Sequence, residues 1–224
     1  MSLYDIMDRP SLKIPRIENL AAIQSPEAVI NILDDHGVRS NIDCLNWPAA
    51  FPYKPLATFA AAHDGRSLWV DFLVRCNYLR AVNCQDQSPV SQDSCVEVFL
   101  QPRPGGEYWN FEFNCIGAIN ASHRLVRPEP TRLSKDELAR IERYPSCGTR
   151  PFCELEGVFT WNLLVRIPLD LMGVDASAGP VEMRGNFYKC ASECTAPHFL
   201  SWSPIQTEKP DFHRPEFFAP ITLA

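Results

Sequence analysis

Two carboxylates sit where a chain rarely places them. Glu97 lies in the middle of SQDSCVEVFLQP, between two valines, and Glu112 lies in YWNFEFNC, between two phenylalanines. A carboxylate in an apolar run is costly unless it leaves the core or finds partners. Asn114, Asn162, Arg166, Arg184 and Asn186 supply partners of the right kinds in neighbouring runs. Carboxylates accept hydrogen bonds, guanidiniums donate them and amides do both, so such a row suits the paired hydroxyls of a sugar. A flat aromatic ring beside it would cover the apolar C–H face of a pyranose, and Trp109, Tyr188 and Phe212 are the candidate platforms. The same two glutamates would also meet the requirement for glycoside hydrolysis, carboxyls ~5 Å apart for retention or ~6.5–9.5 Å for inversion. A third reading is structural: one polar face on an antiparallel sheet is ordinary, with Glu97–Arg184 or Glu112–Arg166 as ion pairs.

The elements that position these groups are mostly strands. SLWVDFLVRC, 67–76, places Leu68, Val70, Phe72 and Val74 on one face. Strands are also expected at 94–101, 108–125, 158–168, 181–190, 198–204 and 217–224, the second of these continuing past Gly117 after a kink or bulge. RPGGE, 103–107, reads as the turn of a hairpin joining 94–101 to 108–125. Side chains alternate across a strand. If Val96, Val98, Leu100, Phe111 and Phe113 face the core, then Glu97 faces away, beside Asn110, Glu112 and Asn114. The same parity puts Arg184, Asn186 and Tyr188 on one face and Asn162 and Arg166 on another, and all are expected on one shared outer surface. Trp47 and Trp202 read as packing residues that plug the sandwich.

Two short helices complete the elements. Ser25 as N-cap, Pro26 at the first position and Gly37 as stop bound one. The capping box Ser134/Glu137 opens the other, in SKDELARIERYP, which is expected to stop before Pro145. At least seven strands with two helices imply an all-β antiparallel sandwich of 224 residues in one domain, 1–224, with 1–24 as a peripheral N-terminal extension.

Composition narrows the function classes. A net charge of −6 lacks the basic footprint of a nucleic-acid binder. Twenty prolines against ten glycines favour rigid turns. The nine cysteines are odd in number and include no CxxC, and the five histidines form no HxH or HExxH, so neither gives a metal motif. Cys76, Cys95 and Cys115 lie in apolar strands, where a thiol acts as a small hydrophobe. The N-terminus, MSLYDIMDRPSLKIP, has no apolar signal region and no spanning segment follows, so no membrane partner is expected and the location as written is cytoplasmic unless a signal was removed.

Several segments, in order along the chain, carry a resemblance. LNWPAAFPYKP (45–55), QDSCVEVF (92–99), YWNFEFNCIGAINAS (108–122), RGNFYKC (184–190), PHFLSWSPI (197–205) and DFHRPEFFAPITL (211–223) resemble carbohydrate-binding family 9-like proteins, relatives of the family 9 modules attached to xylanases. The resemblance implies an immunoglobulin-like sandwich related to DOMON domains, non-catalytic recognition of a carbohydrate ligand, and structural calcium, for which Asp86 or Asp93 would serve. It implies that Glu97 touches sugar and that Asn114 is a polar neighbour, while Glu112 stands where those modules have an arginine. Of the two tryptophans that sandwich a sugar end in those modules, one is replaced by Pro89, Val90 and Ser91 and the other by Phe212. DOMON relatives also bring a haem-binding alternative, with Met183, Lys189 and His198 as conceivable axial ligands. No oligomeric state is implied.

Overall fold

The computed structural model describes residues 9–224. Strands in chain order are β1 (Leu12–Ile14), β2 (Val38–Asn41), β3 (Cys44–Leu45), β4 (Leu56–His63), β5 (Ser67–Ala81), β6 (Cys95–Gln101) and β7 (Tyr108–Asn114). They continue with β8 (Ile119–Arg124), β9 (Thr131–Arg132), β10 (Glu142–Pro145), β11 (Phe152–Pro168), β12 (Val181–Ala191), β13 (His198–Ser201) and β14 (Ala219–Leu223). Helix α1 (Pro26–His36) starts at Ser25, whose hydroxyl accepts from the Ala28 amide, and α2 (Lys135–Ala139) starts at the complete Ser134/Glu137 capping box.

Among the described residues the strands form two sheets packed face to face. The larger runs β1-β14-β12-β6-β7-β8-β9, with β13 pairing β12 and β3 pairing β13; the smaller runs β10-β11-β5-β4-β2. Alternation explains the core between them. Leu68, Val70, Phe72 and Val74 of β5 meet Val96, Val98 and Leu100 of β6 and Phe111 and Phe113 of β7, all buried in one cluster. Phe59 of β4 stacks on Phe187 of β12 across the sandwich, ring centroids 3.9 Å apart. Among the described residues the strands named above pair antiparallel except β1–β14, which is parallel and buries Leu12 and Ile14. Part of the expected peripheral extension is therefore integral to the large sheet, while residues 1–8 of it lie outside the described residues. Among the described residues no helix is long and apolar enough to cross a membrane.

Several expected boundaries differ: β5 runs on to Ala81, β11 begins at Phe152, and β4 has no counterpart among the expected strands. The run 108–125 is a hairpin, not one bent strand: Gly117, at φ 82°, allows a tight turn in which its amide and that of Asn114 close back on Asn114 and Ala118. Helix α2 stops at Ala139, because Glu142–Pro145 pairs instead with Leu163–Arg166 of β11. Five helical residues offer too few internal bonds to compete with that ladder.

A third layer covers much of the outer face of the large sheet. Trp47, Ile205 and Phe218, from chain outside the two sheets' centres, pack on Phe99, Tyr108 and Tyr188, with Phe51, Phe199, Phe212 and Phe217 around them. Trp47 thus seals the outside of the large sheet and donates its Nε1–H to Thr207 O, whereas Trp202 lies in the sandwich core as expected.

Candidate functional site

Pairing register decides what Glu97 meets. Its direct cross-strand neighbours are Glu112 on β7 and Tyr188 on β12. Covered by the third layer, Glu97 is only 2% exposed. Its Oε1 accepts from the Cys190 thiol at 3.1 Å and lies 3.7 Å from Cys95 Sγ. Burial first, then the nearby Cys190 and Glu112, pushes its carboxyl well above the ordinary carboxylate range.

Glu112 is better provided. The amides of Asn110 and Asn120 each donate to one of its oxygens at 3.0 Å. Burial raises its carboxyl, and Asn120, Arg124 and Asn110 pull against that rise. Asn110 in turn accepts from Ser122 Oγ at 2.8 Å and from Arg124 Nη2 at 2.9 Å. Arg124 also donates to Arg127 O, and its buried Nε–H has no hydrogen-bond partner. This network crosses β7 and β8, whose register sets Glu112 opposite Asn120 and Asn110 opposite Ser122.

Beside the network the third layer stops and the face opens. A cavity of about 570 Å³ is lined by Gln87, Ser91, Glu112, Asn120, Arg124, Arg127 and His213, among others. A smaller one of about 160 Å³ reaches Glu97, Cys190, Phe199, Asp211 and Phe212, and it shares Ser91, Glu112, Arg127 and His213 with the first. His213 is held to about 3 by burial and by Arg124 and Arg127, so it is neutral at ordinary pH. Its Nδ1 is 3.1 Å from Tyr108 Oη. Arg127 is exposed and faces Asp211 at 3.5 Å. The opening thus presents carboxylate, amide, guanidinium and neutral imidazole to one space.

The eight expected ligand residues divide. Glu97 and Glu112 line the cavities, and Phe212 lines the smaller one. Phe212 is stacked flat on buried Tyr188, centroids 4.2 Å apart, so the two rings cover each other. Asn114 is consumed by Asn83 O, Asp93 and the Ala118 amide. Asn186 is likewise spent on Ser203 and the Phe187 amide. Arg184 donates to Phe218 O and pairs in register with Gln101, at the far end of β6. Trp109 has the opposite parity from Glu112, packs against the sandwich core and stacks on His123 at 5.3 Å.

Asn162 and Arg166 are on β11, in the other sheet, where Asn162 donates to Asp71 and Arg166 pairs with Glu142. The single shared polar surface is corrected accordingly, and so are the Glu97–Arg184 and Glu112–Arg166 pairs. Parity fixes a residue's face within its own strand but not the sheet that strand joins. The groups that complete the opening, Asn120, Arg124, Arg127 and His213, were not among the expected ligands. Ser122 and Arg124 do alternate with Ala121 and His123 in β8, so halving the long strand at Gly117 would have exposed their parity.

The implied cofactors find no fit in the named residues. Asp93 is fully buried, ion-paired with Arg80 and bonded to the Val82 and Asn83 amides and to Asn114. Asp86 binds Arg143 and the Ile119 amide. Both therefore spend their charge on protein donors and do not make a calcium site. For haem, Lys189 Nζ and His198 Nε2 stand 2.8 Å apart in the core, which leaves no room for a macrocycle between them.

Residues 27–223 match the model of carbohydrate-binding family 9. A crystal structure of a protein from Bacteroides uniformis assigned as carbohydrate-binding is 35% identical, with a TM-score of 0.89, over 96% of this chain and 99% of that one. A family 9 module from Caldicellulosiruptor kristjanssonii in complex with glucose superposes with a TM-score of 0.56 at 15% identity, over 95% of this chain and 94% of that one. The cellotriose complex of a family 9 module from the same organism gives 0.51 at 13% identity, over 95% and 92%. At those identities the likeness is one of fold. No curated protein matches the chain.

Proposed function

The chain belongs to carbohydrate-binding family 9, and from that premise we propose that it binds a carbohydrate, without catalysing its breakdown, in the opening between Glu112, Arg124, Arg127 and His213. The observation that carries this reading is the polar ring around the opening that the third layer leaves on this face. Its volume, about 570 Å³, suits a small ligand. Adjacent sugar hydroxyls would donate hydrogen bonds to Glu112 and accept them from Asn120 and the guanidiniums. The free Nε–H of Arg124 offers a donor that the protein itself leaves unused. The Phe199 and Phe212 edges would meet the apolar face of the ring, in place of a clamp of two tryptophans.

Arg127 gives a clean test because its side chain is 60% exposed and its removal disturbs little packing. Calorimetric titration with glucose and cello-oligosaccharides, preceded by a glycan array, should detect binding by the wild type. Arg127→Ala should weaken it by about tenfold or more, ~1.4 kcal/mol, with the melting temperature unchanged. A wild type that binds no glycan, or an Arg127→Ala protein that binds as well, would reject the site.

A further inference from the structure

Cys95 and Cys190 are direct cross-strand partners of β6 and β12, on the same face as Glu97. The three residues are at most 2% exposed, and their donor atoms lie within 4.8 Å of one another. Among the described residues no lysine or arginine pairs with Glu97, and its polar contacts are the two thiols. A carboxylate buried with only weak S–H donors lacks the compensation that a buried charge ordinarily finds.

On the opposite face of the same strand a cation is buried without a carboxylate. Lys189, fully buried, donates from Nζ to Cys190 O at 2.7 Å and meets His198 at 2.8 Å. Distances also fit. Metal–sulfur and metal–oxygen bonds of ~2.3 and ~2.0–2.2 Å at tetrahedral angles place sulfur and oxygen roughly 3.5 Å apart. Here Cys190 and Cys95 stand 3.1 and 3.7 Å from Glu97 Oε1.

We propose that Cys95, Cys190 and Glu97 form a binding site for a thiophilic divalent cation of the Zn²⁺ class at the floor of the smaller cavity. Two thiolates select such an ion over calcium or magnesium. The cavity lined by Glu97 and Cys190 is the entry path, and it leaves the fourth position to water or to Glu112. Binding moves no electrons: two S–H protons, and that of Glu97 where it is protonated, pass to solvent as metal–ligand bonds form. This inference does not rest on carbohydrate binding, and no sugar enters its test.

Reduced, metal-free full-length protein is titrated with Zn²⁺ and Co²⁺. One equivalent should bind with release of protons, and cobalt should show an intense thiolate charge-transfer band with tetrahedral visible absorption. Cys190→Ser should weaken binding by more than about tenfold and diminish that band, whereas Cys84→Ser, an exposed thiol outside the cluster, should change neither. Should Cys190→Ser fail to fold, zinc-edge X-ray absorption of the wild type decides, with two sulfur neighbours at about 2.3 Å expected. Absence of the charge-transfer band, a band unchanged in a folded Cys190→Ser, or a zinc shell without two sulfurs would overturn the proposal.

Discussion

Asp71 projects from β5 onto the outer face of the small sheet, where it accepts from Asn162 Nδ2 at 3.1 Å and has no cationic partner among the described residues. Burial, partly offset by Asn162 and reinforced by Asp34, lifts its carboxyl from 3.8 to about 6. The folded protein therefore holds this proton where the unfolded chain has lost it. Stability from Asp71 is fully present below pH ~4 and is lost as pH rises through about 6, on the order of 3 kcal/mol. Asp71→Asn should melt higher than the wild type at pH 8 and at the same temperature at pH 4. Glu97 and Glu112 push in the same direction but are common to both proteins, so the difference isolates Asp71. A gap between the two melting curves that stays constant with pH would assign the effect to packing instead. Asp71 was legible as a polar residue alternating with Val70 and Phe72. Its burial was not, because the groove around it is built by Asp34, Asn41, Thr58 and Asn162 from four other elements.

At the scale of the element, β12 shows how closely strands must approach to hold the site. Gly185 lies opposite Leu100 of β6 and Ala219 of β14. A Cβ there would stand 2.6 Å from Phe99 O and 2.8 Å from Ile221 Cδ1. The first contact is with backbone and cannot yield cheaply. Gly185→Ala should therefore force β12 away from β6 and cost ~1–3 kcal/mol, the ordinary range for overpacking, with the displacement felt at the Tyr188–Glu97 pair. Urea denaturation would measure it. A loss below about 0.5 kcal/mol would mean that the sheet accommodates the methyl. The strand alternations at β5, β6, β7 and β12 were readable because period two is local. The end of α2 was not, since the residues that stop it belong to a pairing with β11, about twenty positions away.

The whole molecule is two sheets with an aromatic third layer, and that layer separates a closed region of the large sheet from an open one. Phe212 is its hinge residue in packing terms, stacked on Tyr188 and tilted against Trp47 at 6.3 Å. Phe212→Ala should cost at or below the ~3 kcal/mol lower end for a buried phenylalanine, because the ring is only half buried. It should also speed amide exchange over 205–218 while leaving β5 and β11 protected, since those strands lie across the sandwich core. Exchange that quickens uniformly would show that the third layer does not open separately from the sandwich.

The sequence by itself determined β5, β6, β7, β11 and β12 with the core face of each, the two helix starts and the family, because these depend on side-chain alternation, capping chemistry and order along the chain. It placed Glu97, Glu112, Asn114, Arg184, Asn186 and Tyr188 on one face of β6, β7 and β12, and so they lie. Only the tertiary structure decided that Asn162 and Arg166 belong to the other sheet, that Asn114 and Asn186 are spent on backbone, and that Arg124, Arg127 and His213 complete the opening. Sheet membership and cover are set by contacts between segments far apart in the chain. Whether a polar side chain is available to a ligand depends on what those distant segments bring to it.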